Sequence, residues 1–186
     1  MPTSEIRYRI IRSNRRTVGI RILPDGEVVV RCPRRMTAAA VAELVESKSQ
    51  WIAAQLAKRP SVAPLTQGEL RSLAQSAKEV IPERVRLYAS RAGVTYGRIT
   101  IRNQRTRWGS CSSKGNLNFN CLLMLAPPEV LDYVVVHELC HRKEMNHSAK
   151  FWAEVARILP DYKIRQKWLK DNGPALMARQ PKAQEP

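Results

Sequence analysis

The chain has 186 residues, with 32 Lys+Arg against 16 Asp+Glu and a formal net charge of +16. Its 44% hydrophobic and 26% charged residues exclude a disordered tail, and the length suits one compact domain or one domain with a small appendage. The longest apolar run, Cys121 to Ala126, falls far short of the ~18 residues of a membrane span, so none is expected.

The opening residues, MPTSEIRYRI, put a glutamate and alternating arginines where a signal peptide has its apolar core. A cytoplasmic, soluble protein is the expectation. Residues 1–35 hold 9 Lys/Arg against 3 Asp/Glu, and residues 97–128 hold 5 Lys/Arg and no acid. Such stretches either favour a polyanion (nucleic acid or a nucleotide) or simply keep the surface solvated. Cys32, Cys111, Cys121 and Cys140 form no CxxC pair, which points to free, buried thiols.

In chain order, Ile6, Tyr8 and Ile10 alternate with arginines, Val18, Ile20 and Ile22 repeat the period, and Val28 to Val30 follow a Pro24-Asp25-Gly26 turn. These predict an antiparallel meander of three strands. Thr37 then caps a helix carrying Val41, Leu44, Val45, Trp51, Ile52 and Leu56. Residues 1–60 are thus expected to form an N-terminal β-meander plus helix, followed by a linker from Pro60 to Gly68. A second helix runs from Glu69 to about Ser90, interrupted near Pro82 and closed by Gly93. Strands follow at 97–102, 106–111 and 116–122. Pro127-Pro128 opens a helix from Glu129 through Met145, Ser148 caps another to Ile158, and a short one from Pro160-Asp161 ends near Gly173. The fold class is α+β, with a second domain over 69–173 and a disordered tail over 174–186.

The 3 histidines of the chain all lie in the window HELCHRKEMNH. His137 and His141, four apart, project from one helix face and suit a single metal ion, with Glu138 beside them as a base. Around them Val134, Val135, Val136, Leu139 and Cys140 make a buried helix, where one carboxylate and two imidazoles need compensation. Zinc supplies it. The bland alternatives are a satisfied core histidine and a Glu138–Arg142 pair at i+4. His147 is the preferred third ligand, at the spacing of HExxHxxGxxH although Glu144 replaces the glycine; Glu154 and Asp161 are the alternatives.

The stretches TRWGSCSSKGNLNFN, YVVVHELCHRKEMNHSAKFW and PDYKIRQKWL together resemble the YgjP-like metallopeptidase family, and more distantly the SprT-like proteases. The resemblance takes in RSNRRTVGIRILPDGEVVVRCP and WIAAQL as well, about residues 10–172. It implies a zincin-like fold with an HExxH active-site helix, a zinc site of His137, His141 and the His147 of the NHS motif, and Glu138 as catalytic base.

The chemistry so expected is metal-assisted hydrolysis of a polypeptide, with Zn2+ as cofactor and Glu138 as proton acceptor. Tyr133, one turn before His137, and Arg107 are candidate substrate or oxyanion contacts. Tyr133 equally suits packing, and Arg107 a cation–π pair with Trp108. The strand Asn116 to Leu122 either pairs with an extended peptide or turns its asparagines to solvent. One alternative keeps the metal and uses Arg98, Arg102, Arg105, Arg107 and Lys114 to clamp a nucleotide for phosphoanhydride hydrolysis of the pyrophosphatase type. Another is a nucleic-acid-binding module with structural zinc.

Overall fold

The chain divides into two compact units, residues 1–63 and 64–186. The computed structural model describes residues 6–23, 26–57 and 62–181. The Pro24-Asp25 part of the expected turn lies outside them.

In the first unit, β1 (Tyr8–Ser13), β2 (Gly19–Ile22) and β3 (Val28–Pro33) form a sheet in the order β1-β3-β2. Strand β3 runs antiparallel to β2 but parallel to β1, so the sheet is not the antiparallel meander expected from the sequence. The reason lies in Val28, Val29 and Val30, which are 2%, 2% and 0% exposed. A run buried on both faces belongs at the centre of a sheet, whereas β1 and β2 mix half-buried isoleucines with exposed arginines and suit its edges. Val41, Val45 and Ile52 pack on Val28, Val30 and Cys32 from α1 (Ala38–Ser47) and α2 (Ser49–Ala57). Thr37 caps α1 as expected, its Oγ1 accepting the Ala40 N–H at 3.2 Å. The single helix expected here breaks at Lys48. Ser47 Oγ donates to the Leu44 carbonyl at 2.8 Å, a bond that competes with the helical ladder just before the break.

In the second unit, α3 (Gln67–Ala92) opens with a capping box of Thr66 and Glu69 and closes at Gly93, whose φ of 65° is left-handed. The Thr66 bonds hold the Glu69 carboxyl below its usual range. Pro82 does not interrupt α3. Ala77, Ile81, Val85 and Tyr88 bury one continuous face across it, and that burial outweighs one missing hydrogen bond. Strands β4 (Ile99–Arg102), β5 (Gly109–Cys111) and β6 (Leu117–Asn120) follow, in the order β4-β6-β5, with β6 parallel to β4 and antiparallel to β5. Beyond them come a 3-10 turn (Cys121–Leu125), α4 (Pro128–Cys140), α5 (Ala149–Ile158) and α6 (Tyr162–Ala178). Ile81, Val85, Phe119, Val135, Leu139 and Phe151 share one core.

Helix α4 ends at Cys140, five residues earlier than predicted, and α6 runs five residues further. Gly173 is no terminator: a Cβ there would sit 3.3 Å from the Trp108 ring, so the glycine admits that ring against α6. Residues 174–181 are therefore not a disordered tail; Met177 and Gln180 are buried, and the Leu65 amide bonds the Arg179 carbonyl at 2.7 Å. Residues 182–186 lie outside the described residues. The cysteines are free, with Cys32, Cys121 and Cys140 buried and Cys111 half-buried. Among the described residues no helix is long and apolar enough to cross a membrane.

Helices α3 and α4 are joined by a polar link. Buried Asp132 accepts both Arg84 Nε, at 2.6 Å, and Arg84 Nη2, together with the Tyr88 hydroxyl at 2.9 Å. Asp132→Ala strands two donors, one of them on a partly solvated arginine, and is expected to cost ~2 kcal/mol. Urea unfolding measures it.

Candidate metal centre

Why the three histidines converge follows from local structure. His137 lies in the last turn of α4, and His141 caps that helix. The chain then turns, with the Arg142 and Lys143 amides on the Leu139 and Cys140 carbonyls, until Ser148 caps α5 through a 3.3 Å bond from the Phe151 N–H. His147 immediately precedes that cap. One ligand atom from each imidazole lies within 4.8 Å of the others. His137 Nε2 and His147 Nε2 are 3.0 Å apart, and His141 Nδ1 bonds the Glu144 carbonyl at 3.0 Å, which leaves its Nε2 free. Glu144, in the place of the metzincin glycine, thus serves through its backbone.

Phe151, fully buried on α5, floors the site, its ring centroid 4.6–4.9 Å from all three imidazoles. Trp152 stacks on His147 at 5.8 Å and on Tyr162 at 5.4 Å. Burial, reinforced by the neighbouring imidazoles, lowers the His137 pKa to about 3, and burial lowers that of His141. Both shifts favour the neutral form, the one that ligates a metal. His137 Nδ1 is buried without a hydrogen-bond partner.

Glu138 is 5% exposed, and burial pushes its pKa up to about 8, against the pull of Arg107. No hydrogen bond reaches its carboxylate among the described residues. The bland pairing with Arg142 does not form. Arg142 Nε and Nη1 instead bond the Thr95 and Ser113 carbonyls at 3.0 and 3.2 Å. Glu138 rests on the backbone of β5, where a Cβ on Gly109 would lie 2.6 Å from Oε1 and 2.7 Å from Cγ. Gly109→Ala is accordingly expected to displace the carboxylate and lower turnover about tenfold or more while the protein stays folded, a pattern that steady-state rates and thermal melting together reveal.

Tyr133 is buried, with its ring 5.9 Å from that of His137. Burial raises its pKa to about 12, partly offset by a hydrogen bond with Gln166, so its hydroxyl keeps its proton at any working pH. Arg107 is exposed, yet alone among the five clamp candidates it weighs on Glu138. Arg105 turns instead to the Pro181 carbonyl, at 3.4 Å. The alternative ligands are engaged elsewhere: Glu154 with Lys143 and Arg157, both at 3.0 Å, and Asp161 with Arg165 at 2.9 Å.

Asn116 and the two asparagines of β6, Asn118 and Asn120, bond within the fold. Strand β6 is central, with both edges paired, so it has no edge to offer a peptide. Asn116 Oδ1 accepts the Arg98 amide, Asn118 Nδ2 bonds Ser110 Oγ, and buried Asn120 Nδ2 holds the Gln104 and Arg107 carbonyls at 2.6 and 3.0 Å. Gln180 Nε2 adds 2.8 Å to the same Gln104 carbonyl. Sequence reasoning missed Gly109, Asn120, Phe151, Trp152 and Gln180. None carries a spacing signal, because each acts through a contact across the fold.

No curated protein matches the chain. Among the solved structures that share a likeness with half of it are the metallopeptidase zymogens Pyrococcus abyssi abylysin (21% identity, TM-score 0.45) and Methanocaldococcus jannaschii jannalysin (23%, 0.43), each covered over 94% of its own length. The model of the YgjP-like metallopeptidase domain matches residues 16–72 and 67–172. Over that span, most of its length, the chain belongs to the YgjP-like metallopeptidase family.

Proposed function

We propose that this protein is a zinc-dependent peptidase in which His137, His141 and His147 hold the metal and Glu138 is the general base. The observation that carries this reading is the convergence of three imidazoles, with a buried carboxylate on the same helix that no hydrogen bond reaches among the described residues. The residues suit the ion. Neutral nitrogen donors are what zinc takes, and three protein ligands leave a position open for water or substrate. When bound, zinc supplies Lewis acidity and lowers the pKa of its water.

The chain's own groups supply the rest. Glu138, desolvated against Gly109, binds a proton more readily than an ordinary carboxylate, and it can hold that proton and release it to the leaving amine. The Glu144 carbonyl fixes the ring of His141. Tyr133 contributes a hydroxyl that stays protonated, and Arg107 a cation, so either can support a developing oxyanion. An extended peptide would pair with the open edge of β5, the strand that bears Gly109, instead of with β6.

The test offers casein and a nucleoside triphosphate to the protein before and after chelation. Casein cleavage that stops on chelation and returns with added zinc is the expected outcome. Metal-dependent phosphate release without casein cleavage would replace the peptidase reading with the nucleotide one.

A further inference from the structure

Strand β2 ends one side of the first unit's sheet, so one of its edges pairs with β3 and the other meets no strand among the described residues. Unpaired edges invite another chain and are usually blunted. This one adjoins a cavity of about 390 Å³ lined by Val18, Gly19, Ile20, Leu44, Lys48 and Trp51. Val18 and Trp51 are 39% and 47% exposed, which leaves apolar surface open to water at the rim. Gly19 has no side chain, so the strand's own backbone forms part of the wall.

Among the described residues, Lys48 is the one charged residue that lines the cavity. No acidic residue lines it. Arg15 lies over Gly19, its Nη2 3.8 Å from where a Cβ would be and 3.2 Å from Thr17 Oγ1. Its Nε is buried without a hydrogen-bond partner. Among the described residues, neither Arg15 nor Arg16, Arg21 or Lys48 forms an ion pair. The Arg15 side chain is half-buried and outside any such pair, and a carboxylate is the partner that satisfies a guanidinium best.

We infer that the first unit is a docking site for an extended acidic polypeptide segment. The segment adds as a strand to the free edge of β2, places an apolar side chain in the cavity and sets a carboxylate on Arg15. The ladder provides main-chain affinity, the cavity selects the apolar side chain, and the arginines select the charge. A small apolar ligand would use the cavity but would leave Arg15 and the strand edge unanswered.

Fluorescence anisotropy tests this on the full chain carrying Glu138→Gln, so that no probe is cleaved. The probe is the labelled peptide Glu-Val-Glu-Ile-Glu-Val-Glu. We expect saturable binding that weakens about tenfold or more in Arg15→Ala and again in Trp51→Ala, as loss of a charge-assisted bond and of an apolar contact implies. Val18→Glu, a change at an exposed position, should set a like charge at the rim and weaken binding to a similar degree. Replacing the glutamates of the probe by lysines, or methylating alternate backbone nitrogens, should abolish binding. No saturable binding, equal binding of the lysine or methylated probe, or affinity unchanged by all three substitutions would overturn the inference.

Discussion

Glu138→Gln is expected to lower peptide hydrolysis by ~10³-fold, within the range that a positioned acid–base group contributes. Glutamine has nearly the same shape, so it should still lie on Gly109 without disturbing β5. It cannot take a proton as the carboxylate does. The carboxylate has no hydrogen-bond partner to lose among the described residues, and removing a desolvated acid tends to stabilise a fold. The variant should therefore melt at or above the temperature of the parent and keep its metal content. Turnover and metal analysis on the same preparation check this. A variant that cleaves as fast as the parent would remove Glu138 from the mechanism.

His137→Ala should be the most damaging change to metal binding. His137 Nε2 faces His147 Nε2 at 3.0 Å, and the ring stands between Tyr133 and Phe151. Losing a group that merely orients a ligand already weakens metal affinity 10–100-fold, so losing a ligand should weaken it by at least about a hundredfold. The informative controls are Glu154→Ala and Asp161→Ala. Each carboxylate is held in surface ion pairs, by Lys143 and Arg157 or by Arg165. Each should leave the metal in place, at a stability cost of under ~1 kcal/mol per pair. Competition with a chromophoric chelator measures all three. Loss of metal in Glu154→Ala together with retention in His137→Ala would reassign the site.

The clustering of the three imidazoles is more legible in the sequence than the architecture around it. His137 and His141 lie one turn apart, and the Asn146-His147-Ser148 turn announces its cap, so the three imidazoles were placed by local rules alone. Local rules also give the caps at Thr37 and Gly93, whereas the Thr66 cap falls in the stretch read as a linker. They failed where a tertiary contact decides. Period-2 alternation marks a strand without naming its neighbours. The unbroken Val28–Val30 run was the available sign of a central strand, and it overrules sequential pairing. Gly173 and Pro174 look like a helix stop. They lie within α6, because the glycine is needed where Trp108 comes close. The basic stretch before α4 suggests a phosphate clamp. Arg105 instead secures the C-terminal segment, and Asn120 and Gln180 hold the loop that carries Arg107.

Titration of the metal-free 186-residue chain with zinc, followed by casein cleavage, tests the central claim most directly. The account predicts activity that rises from none to saturation at about one equivalent of zinc per chain, and no activity at that stoichiometry in His137→Ala. Full cleavage by the thoroughly chelated protein would contradict it.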